Sequence, residues 1–370
     1  MYLKSILLQG FRNLPDLSLT LHPRFSVLVG ENAQGKTNII EGIYLFSFGK
    51  SFRVPDYRDL IAWGQGQSFI RSWVHNDIGE EERQVRLTRE KKTFYKNDKP
   101  VSPNQFLSIP MVLFSPEAIL LLKESPQARR DYIDNFISKC LAPYGDRLKQ
   151  YKRALAQRNK ILKDEFLAEA EKEEQAKLWE KPMREHGIYL IEERKRWLER
   201  LNRRLVENYT QVAGAGKKAG FVYQPNVAPA EFEERQAACR SEEMEKGMSL
   251  VGPHRDDFQA SLDDLPVKYF GSQGENRTFT LALKLAEISL FEETLGFSPV
   301  LLLDDVVSEL DERRSEFFFS RLKSFSGQVF ATATSLHLFP KSCLRECRSW
   351  QINQGHANPI YDSAGGQTGA

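Results

Sequence analysis

The sequence predicts an α/β fold in which a mixed sheet with flanking helices is interrupted by an inserted helical arm. Three observations carry that expectation. A short apolar strand, Phe25–Val29, runs straight into the glycine-bearing octet 30–37. A second apolar strand, Val300–Leu303, ends on the carboxylate pair Asp304-Asp305. Between them, from about Ser115 to Thr210, the chain is charged, nearly free of glycine and helical in period.

The elements follow in order. Tyr2 to Phe11 alternates like a strand, and a second strand should follow a turn at Asn13-Leu14-Pro15-Asp16, giving an N-terminal β subdomain. Apolar residues at Ile39, Ile40, Ile43, Leu45 and Phe46 fall at helical spacing over Lys36–Phe48. Alternation around Gln84–Thr88 and a turn at Asn97-Asp98 extend the β text. Ile188, Ile191, Leu198, Leu201 and Leu205 then form one apolar stripe, read as part of a long helix pair broken near Pro182. Gly214, Gly216 and Gly220, followed by Pro225 and Pro229, read as a linker. β-like text returns over Gly247–Leu262, then a helix over Glu275–Thr294 and two buried-type strands, Val300–Leu303 and Gln328–Thr332. The expected organisation is a first half-head over 1–115, an inserted arm over 116–245, a second half-head over 246–354 and a disordered tail over 355–370.

Composition narrows the class. With 41% hydrophobic and 28% charged residues, the chain matches an ordinary soluble protein. Tyr2–Phe11 does not read as a leader, and no apolar run approaches the roughly 18 residues of a spanning helix. A cytoplasmic, membrane-free location is therefore expected. Cys140, Cys239, Cys343 and Cys347 lack zinc spacing and are read as reduced thiols, the last two on a surface segment. The net charge of +2 is silent on nucleic acid, yet basic residues outnumber acidic ones between Leu121 and Gly220. That excess suits a phosphate-facing surface and a solvated helical arm equally.

The octet reads Gly30-Glu31-Asn32-Ala33-Gln34-Gly35-Lys36-Thr37 and fits G-x-x-x-x-G-K-[ST] in full. Gly30 and Gly35 permit backbone angles that turn successive N–H groups toward phosphates. Lys36 adds a compact positive charge for the β- and γ-phosphates, Thr37 a hydroxyl for Mg²⁺, and the helix carrying Asn38 aims its positive end at the same anion. ATP with Mg²⁺ is the expected ligand. Asp304, at the end of its strand, is placed to hold Mg²⁺ through water, and Asp305 to orient or deprotonate the attacking water.

Further motifs carry a resemblance. Gly271-Ser272-Gln273-Gly274-Glu275 opens a helix and resembles the Leu-Ser-Gly-Gly-Gln signature of ATP-binding-cassette proteins, matching at Ser272 and Gly274 and departing at Gly271, Gln273 and Glu275. Ser308-Glu309-Leu310-Asp311 resembles the D-loop, and Thr334 stands where most cassette ATPases have histidine. Gly10-Phe11-Arg12-Asn13 is similar to a segment of SMC and Rad50 heads, which implies that Arg12 reaches the nucleotide phosphates. The resemblance implies a cassette-type ATPase head whose Ser272, Gln273, Gly274, Glu275, Ser308 and Asp311 act on the nucleotide of a second copy, in a homodimer formed on ATP. Asp305 is one methylene shorter than the usual glutamate; with Thr334 it leads us to expect slow turnover.

Two stretches narrow the family. Leu113-Phe114-Ser115-Pro116-Glu117 through Ser125-Pro126, Arg129-Arg130 and Tyr132-Ile133-Asp134, and Gly252-Pro253-His254-Arg255-Asp256-Asp257, resemble the RecF family, with Glu124 where that family has glycine. The arm is also far shorter than the heptad coiled coils of SMC and Rad50 proteins. The resemblance implies binding of double-stranded DNA near single-strand gap junctions and assistance to RecA loading with RecO and RecR. Arg129, Arg130 and the Arg194-Lys195-Arg196 cluster are the candidate DNA contacts. Two other readings stand beside this one. The ATPase subunit of a membrane transporter is disfavoured by the long charged arm, and a P-loop kinase with a small-molecule acceptor by the signature and D-loop matches.

Overall fold

The computed structural model describes residues 1–76, 79–116, 125–214 and 216–362. Strands β1 (Tyr2–Gln9), β2 (Leu17–Thr20) and β3 (Phe25–Val29) lead into helix α1 (Lys36–Phe48). Strands β4 (Gln67–Asn76), β5 (Gly79–Thr88), β6 (Lys92–Lys96) and β7 (Lys99–Val101) follow, then α2 (Pro103–Phe106) and β8 (Met111–Phe114). The helical stretch comprises α3 (Pro126–Cys140), α4 (Ala142–Leu162), α5 (Glu169–Lys177) and α6 (Glu180–Ala213). After it come β9 (Ala219–Gln224), α7 (Phe232–Ala238), α8 (Arg240–Lys246), β10 (Asp257–Leu262), β11 (Leu265–Pro266), α9 (Val267–Phe270) and α10 (Gln273–Leu295). The chain closes with β12 (Val300–Leu303), α11 (Glu312–Ser324), β13 (Val329–Ala333), α12 (Lys341–Leu344), β14 (Cys347–Asn353) and β15 (His356–Asp362).

The chain divides into two compact units: 1–118 with 287–370, and 119–286. The inner border thus falls at 286/287 rather than at the expected 245/246. The reason is local: β10 pairs antiparallel with β9, so it belongs with the helical unit. The anticipated linker at Gly214–Pro229 is in part this β9 strand, with Gly214 ending α6 at φ 86°. Instead of a helix pair broken at Pro182, four helices form among the described residues, and Pro182 sits in the first turn of α6. A proline there removes an N–H that has no intrahelical partner anyway.

The first unit holds two six-stranded sheets among the described residues. One is antiparallel, in the order β2-β1-β4-β5-β6-β7. The other runs β15-β14-β3-β13-β12-β8, with β8, β12, β13, β3 and β14 parallel and β15 antiparallel at the edge. Strands buried on both faces need continuous apolar text, as in Phe25–Val29 and Val300–Leu303, each buried throughout. Helix α1 is buried nearly all round: Ile39, Ile40, Ile43, Leu45 and Phe46 join a core with Leu3, Ile6, Leu8, Ile70 and Val85 of the antiparallel sheet and Leu302 and Phe330 of the parallel one. A helix so enclosed is fixed by packing on every side, and its N-terminus is the phosphate loop.

The expected disordered tail is corrected in part. Residues 356–362 form β15, which pairs with β14 over Arg348–Asn353, while 363–370 lie outside the described residues. Cys347, expected on the surface, is buried in β14.

In the second unit the helices enclose polar groups as well as apolar ones. Arg194, buried in α6, forks onto Asp134 of α3 (2.9 and 3.0 Å), Asp256 (2.7 Å) and the Pro253 carbonyl (2.7 Å). Tyr144 donates to Asp134 and Tyr223 to Asp256, each at 2.5 Å. Burial would favour loss of the Arg194 proton, but the surrounding Asp134, Tyr144 and Asp256 outweigh it and hold the group firmly cationic. Arg129 pairs bidentately with Asp257 (2.8 and 2.6 Å), and Arg130 donates to the Asp256 carbonyl (2.7 Å). The two stretches that carry the RecF resemblance therefore meet in one buried lattice. This corrects the DNA assignment for Arg129, Arg130 and Arg194, which are buried and engaged, whereas Lys195 and Arg196 are exposed, Arg196 donating to Glu193 (2.7 Å). Of the first stretch, Glu117 and Glu124 lie outside the described residues.

Candidate functional site

The site in the first unit is built where β3 ends. Strand β3 lies between β13 and β14, so the loop after it emerges beside the ends of both neighbours. The Gly30 N–H donates to the Ala333 carbonyl of β13 (3.1 Å), which brings Thr334, the next residue and an exposed one, beside the start of the loop. A Cβ on Gly30 would sit 2.4 Å from the Ile352 carbonyl oxygen, so only glycine fits. Gly35 (φ 102°) and Ala33 (φ 64°) take left-handed backbone angles and turn the loop back on itself. Such turns produce the converging N–H groups on which phosphate binding depends. Lys36 is buried, and its Nζ donates to the Gly30 and Glu31 carbonyls (2.8 and 2.9 Å) across the loop. Glu31 and Asn32 lie exposed along the loop rim.

The acidic half comes from β12. Thr37 Oγ1 donates to Asp304 Oδ1 (3.0 Å), joining two groups far apart in sequence. Asp304 is buried, its N–H donating to the Phe114 carbonyl of β8 (2.8 Å). Thr332 of β13, which sequence reasoning missed, completes the arrangement: it donates to Asp304 Oδ1 (2.8 Å) and accepts from the Asp305 N–H (2.8 Å). Asp305 has a left-handed φ of 50°, a costly conformation for a non-glycine residue and one that clusters at functional positions. A hydroxyl and a carboxylate oxygen at hydrogen-bond distance fit Mg²⁺, a hard ion that takes one or two protein oxygens and completes its shell with phosphate and water. Beyond this pair, no cluster of three His, Cys, Asp or Glu occurs among the described residues.

Arg12 is held beside the start of α1. Its guanidinium is a fork onto Glu41, a fully buried carboxylate of α1 (2.8 and 2.7 Å), and reaches the Asp59 carbonyl at 3.3 Å. Ser51 also donates to Glu41. Glu41, one turn beyond Thr37 on α1, left no sequence signal beyond a lone carboxylate among apolar residues. Asn13 and Asn38 do meet, Asn38 Nδ2 donating to Asn13 Oδ1 (2.5 Å), while Arg53 donates to Asn38 Oδ1 (2.9 Å).

The D-loop follows β12 directly. Ser308 Oγ donates to the Asp305 carbonyl (2.8 Å), and Asp311 caps α11 by accepting from the Arg314 N–H (2.9 Å). In the second unit, the signature sequence forms the start of α10. Ser272 and Glu275 form a reciprocal cap: the Ser272 N–H donates to Glu275 Oε2 (2.8 Å), and the Glu275 N–H to Ser272 Oγ (3.2 Å). Lys217 pairs with Glu275 at 2.5 Å. Lys217 and these Ser272 hydrogen bonds hold the Glu275 carboxyl at about 2, well below the usual range. Gln273 and Gly274 occupy the first turn, where unpaired N–H groups favour an anion.

Comparison with known proteins agrees with this geometry. The model of the RecF/RecN/SMC N-terminal domain family matches residues 2–345. The chain belongs to the RecF family. The RecF of Alkaliphilus oremlandii, named DNA replication and repair protein RecF, is 34% identical, with 96% of this chain and 99% of that protein aligned. The protein of the same name from Geobacter sulfurreducens is 34% identical over 97% of this chain and 100% of its own length. The solved structure of the recombination mediator RecF with ATP in the RecFOR pathway superposes with a TM-score of 0.86 at 29% identity, covering 97% of this chain and 98% of that one. The Smc head domain of Pyrococcus furiosus shares the fold, with a TM-score of 0.57 at 17% identity. The fold is thus the cassette-type ATPase head of RecF and SMC proteins. No helix among the described residues is long and apolar enough to cross a membrane.

Proposed function

We propose that this chain is an ATP-dependent DNA-binding ATPase of recombinational repair, a slow switch that closes as a homodimer on ATP. The observation that carries the reading is the convergence of Lys36, Thr37, Asp304, Thr332 and Asp305 around one phosphate loop in a RecF-family chain. Lys36 exchanges the Gly30 and Glu31 carbonyls for β- and γ-phosphate oxygens. Thr37 and Asp304 would hold Mg²⁺, which when bound would supply charge neutralisation on the phosphates. Asp305 orients the attacking water and accepts its proton. Ser272, Gln273 and Gly274 offer a helix N-terminus to the γ-phosphate bound by the other copy, with Glu275 capping that turn and Ser308 and Asp311 lining the same junction. Hydrolysis then removes the anion that both copies share.

The ligand is double-stranded DNA next to single-strand gaps, and the partners are RecR and RecO, through which RecA is loaded. The pathway named for the solved RecF structure supports these partners. The test is steady-state phosphate release with and without duplex DNA over a salt series. Stimulation by DNA that declines as salt rises is the expected result. A rate indifferent to duplex DNA at low salt overturns the DNA role.

A further inference from the structure

The turn between β14 and β15 lies against the phosphate loop. The Gln354 N–H donates to Gln34 Oε1 (2.7 Å), and the Gly355 N–H donates to the Gln34 backbone carbonyl (2.9 Å). The fit is close on every side. A Cβ on Gly355, which has φ 80°, would sit 2.6 Å from Pro15 Cδ and 3.1 Å from Leu14 Cδ2. The same Leu14 methyl would be 2.7 Å from a Cβ on Gly35. Ile352, at the end of β14, presents its carbonyl to Gly30. Loop, β1–β2 connection and C-terminal hairpin therefore form one packed junction.

We infer that this turn, with Gln34 as its partner, is a positioning element that holds the phosphate loop in its binding conformation, so that the C-terminal hairpin sets nucleotide affinity. The physical reason is the loop's own backbone. The left-handed angle at Ala33 is costly and relaxes unless neighbouring structure holds it, and Gln34 follows it directly, before the freely turning Gly35. Both of its backbone-directed acceptors, side-chain and main-chain oxygen, are taken by hairpin N–H groups. Gln34 is a position that the loop motif leaves free, so its contribution comes from this chain's own packing. The inference rests on the nucleotide reading of the loop.

Titration of the full chain with a methylanthraniloyl ATP in the presence of Mg²⁺ tests it, alongside urea unfolding of each variant. Gln34→Met removes the side-chain acceptor at similar length and should weaken nucleotide binding roughly fivefold, the loss of one hydrogen bond. Gly355→Ala forces a Cβ into Pro15 and should weaken binding by about tenfold. Gln354→Gly keeps the N–H, suits the local φ of 48°, and should bind within about twofold of the parent. For Gln34→Met and Gly355→Ala, KM for ATP should rise by the same factor as the loss of affinity, whereas Gln354→Gly should keep the KM of the parent. Should the parent bind no better than Lys36→Met, the nucleotide reading itself fails. If the parent binds and Gln34→Met matches it, the positioning role is overturned and the nucleotide reading stands. A lower urea midpoint with unchanged affinity overturns it equally, because that is the mark of a merely structural contact. Should Gly355→Ala not fold, Gln34→Met alone decides.

Discussion

Glu41 shows how a single buried residue fixes the position of another. A carboxylate with no exposed surface inside α1 requires a cation, and Arg12 supplies a bidentate one. Arg12→Met leaves that charge buried without its main partner and should cost roughly 3–5 kcal/mol of stability, read by urea denaturation. Arg12→Lys cannot reproduce the fork and should fall between. An Arg12→Met protein as stable as the parent would remove the argument. His254 belongs to the same scale. Burial pushes its imidazole down to about 4, and Tyr151 and the Ser249 carbonyl hold the two ring nitrogens at 2.6 and 3.0 Å. A folded value below the unfolded one means that the unfolded chain binds the proton first. This contribution is therefore complete above about pH 6.5 and is lost as pH falls toward 4, at most roughly 3 kcal/mol. His254→Gln should reduce the slope of unfolding free energy against pH in that window, compared with the parent in the same buffers.

At the scale of elements, Asp311 can be separated from its proposed role across the dimer. It is the N-cap of α11, and asparagine caps as well as aspartate. Asp311→Ala should lower stability by about 1 kcal/mol while Asp311→Asn leaves it unchanged. Thermal unfolding of the two measures the cap free of any ATP effect. The elements also show what was legible beforehand. Strand β12 and helix α1 were readable to the residue, because burial on all sides demands uninterrupted apolar text and an octet of fixed type precedes the helix. Asp304 and Thr37 were legible as partners because their chemistry needs each other. Thr332 was hidden, since a threonine in a buried strand resembles ordinary β-branched filling. Arg129, Arg130 and Arg194 were misread because a charge run reads alike whether it faces water or a carboxylate distant in sequence. Strand β15 was hidden by its own composition: an edge strand next to a glycine turn carries little apolar patterning.

At the scale of the whole molecule, the signature and the phosphate loop belong to different compact units, and the proposed chemistry assigns them to different copies. A two-fold pair makes two such composite sites, so defects should complement. Lys36→Met and Ser272→Arg should each stay monomeric with ATP in sedimentation velocity, or pair without turnover. Mixed in equal amounts, they should recover about a quarter of the parent rate if all pairs form alike, and about half if only mixed pairs form, because a mixed pair carries one intact site of two. A mixture as inactive as its components would argue against sites shared between copies.

The parallel sheet has a consequence for biosynthesis. Strand β3 is flanked by β13 and β14, both of which are synthesised after the whole of 119–286. The nascent polypeptide thus carries its octet through the synthesis of 119–286 without the strands that shape it, whereas 119–286, contiguous in sequence, can condense as it emerges. Formation of the phosphate loop's sheet waits on strands made after the helical unit, and a fragment terminated within the helices lacks both neighbours of β3.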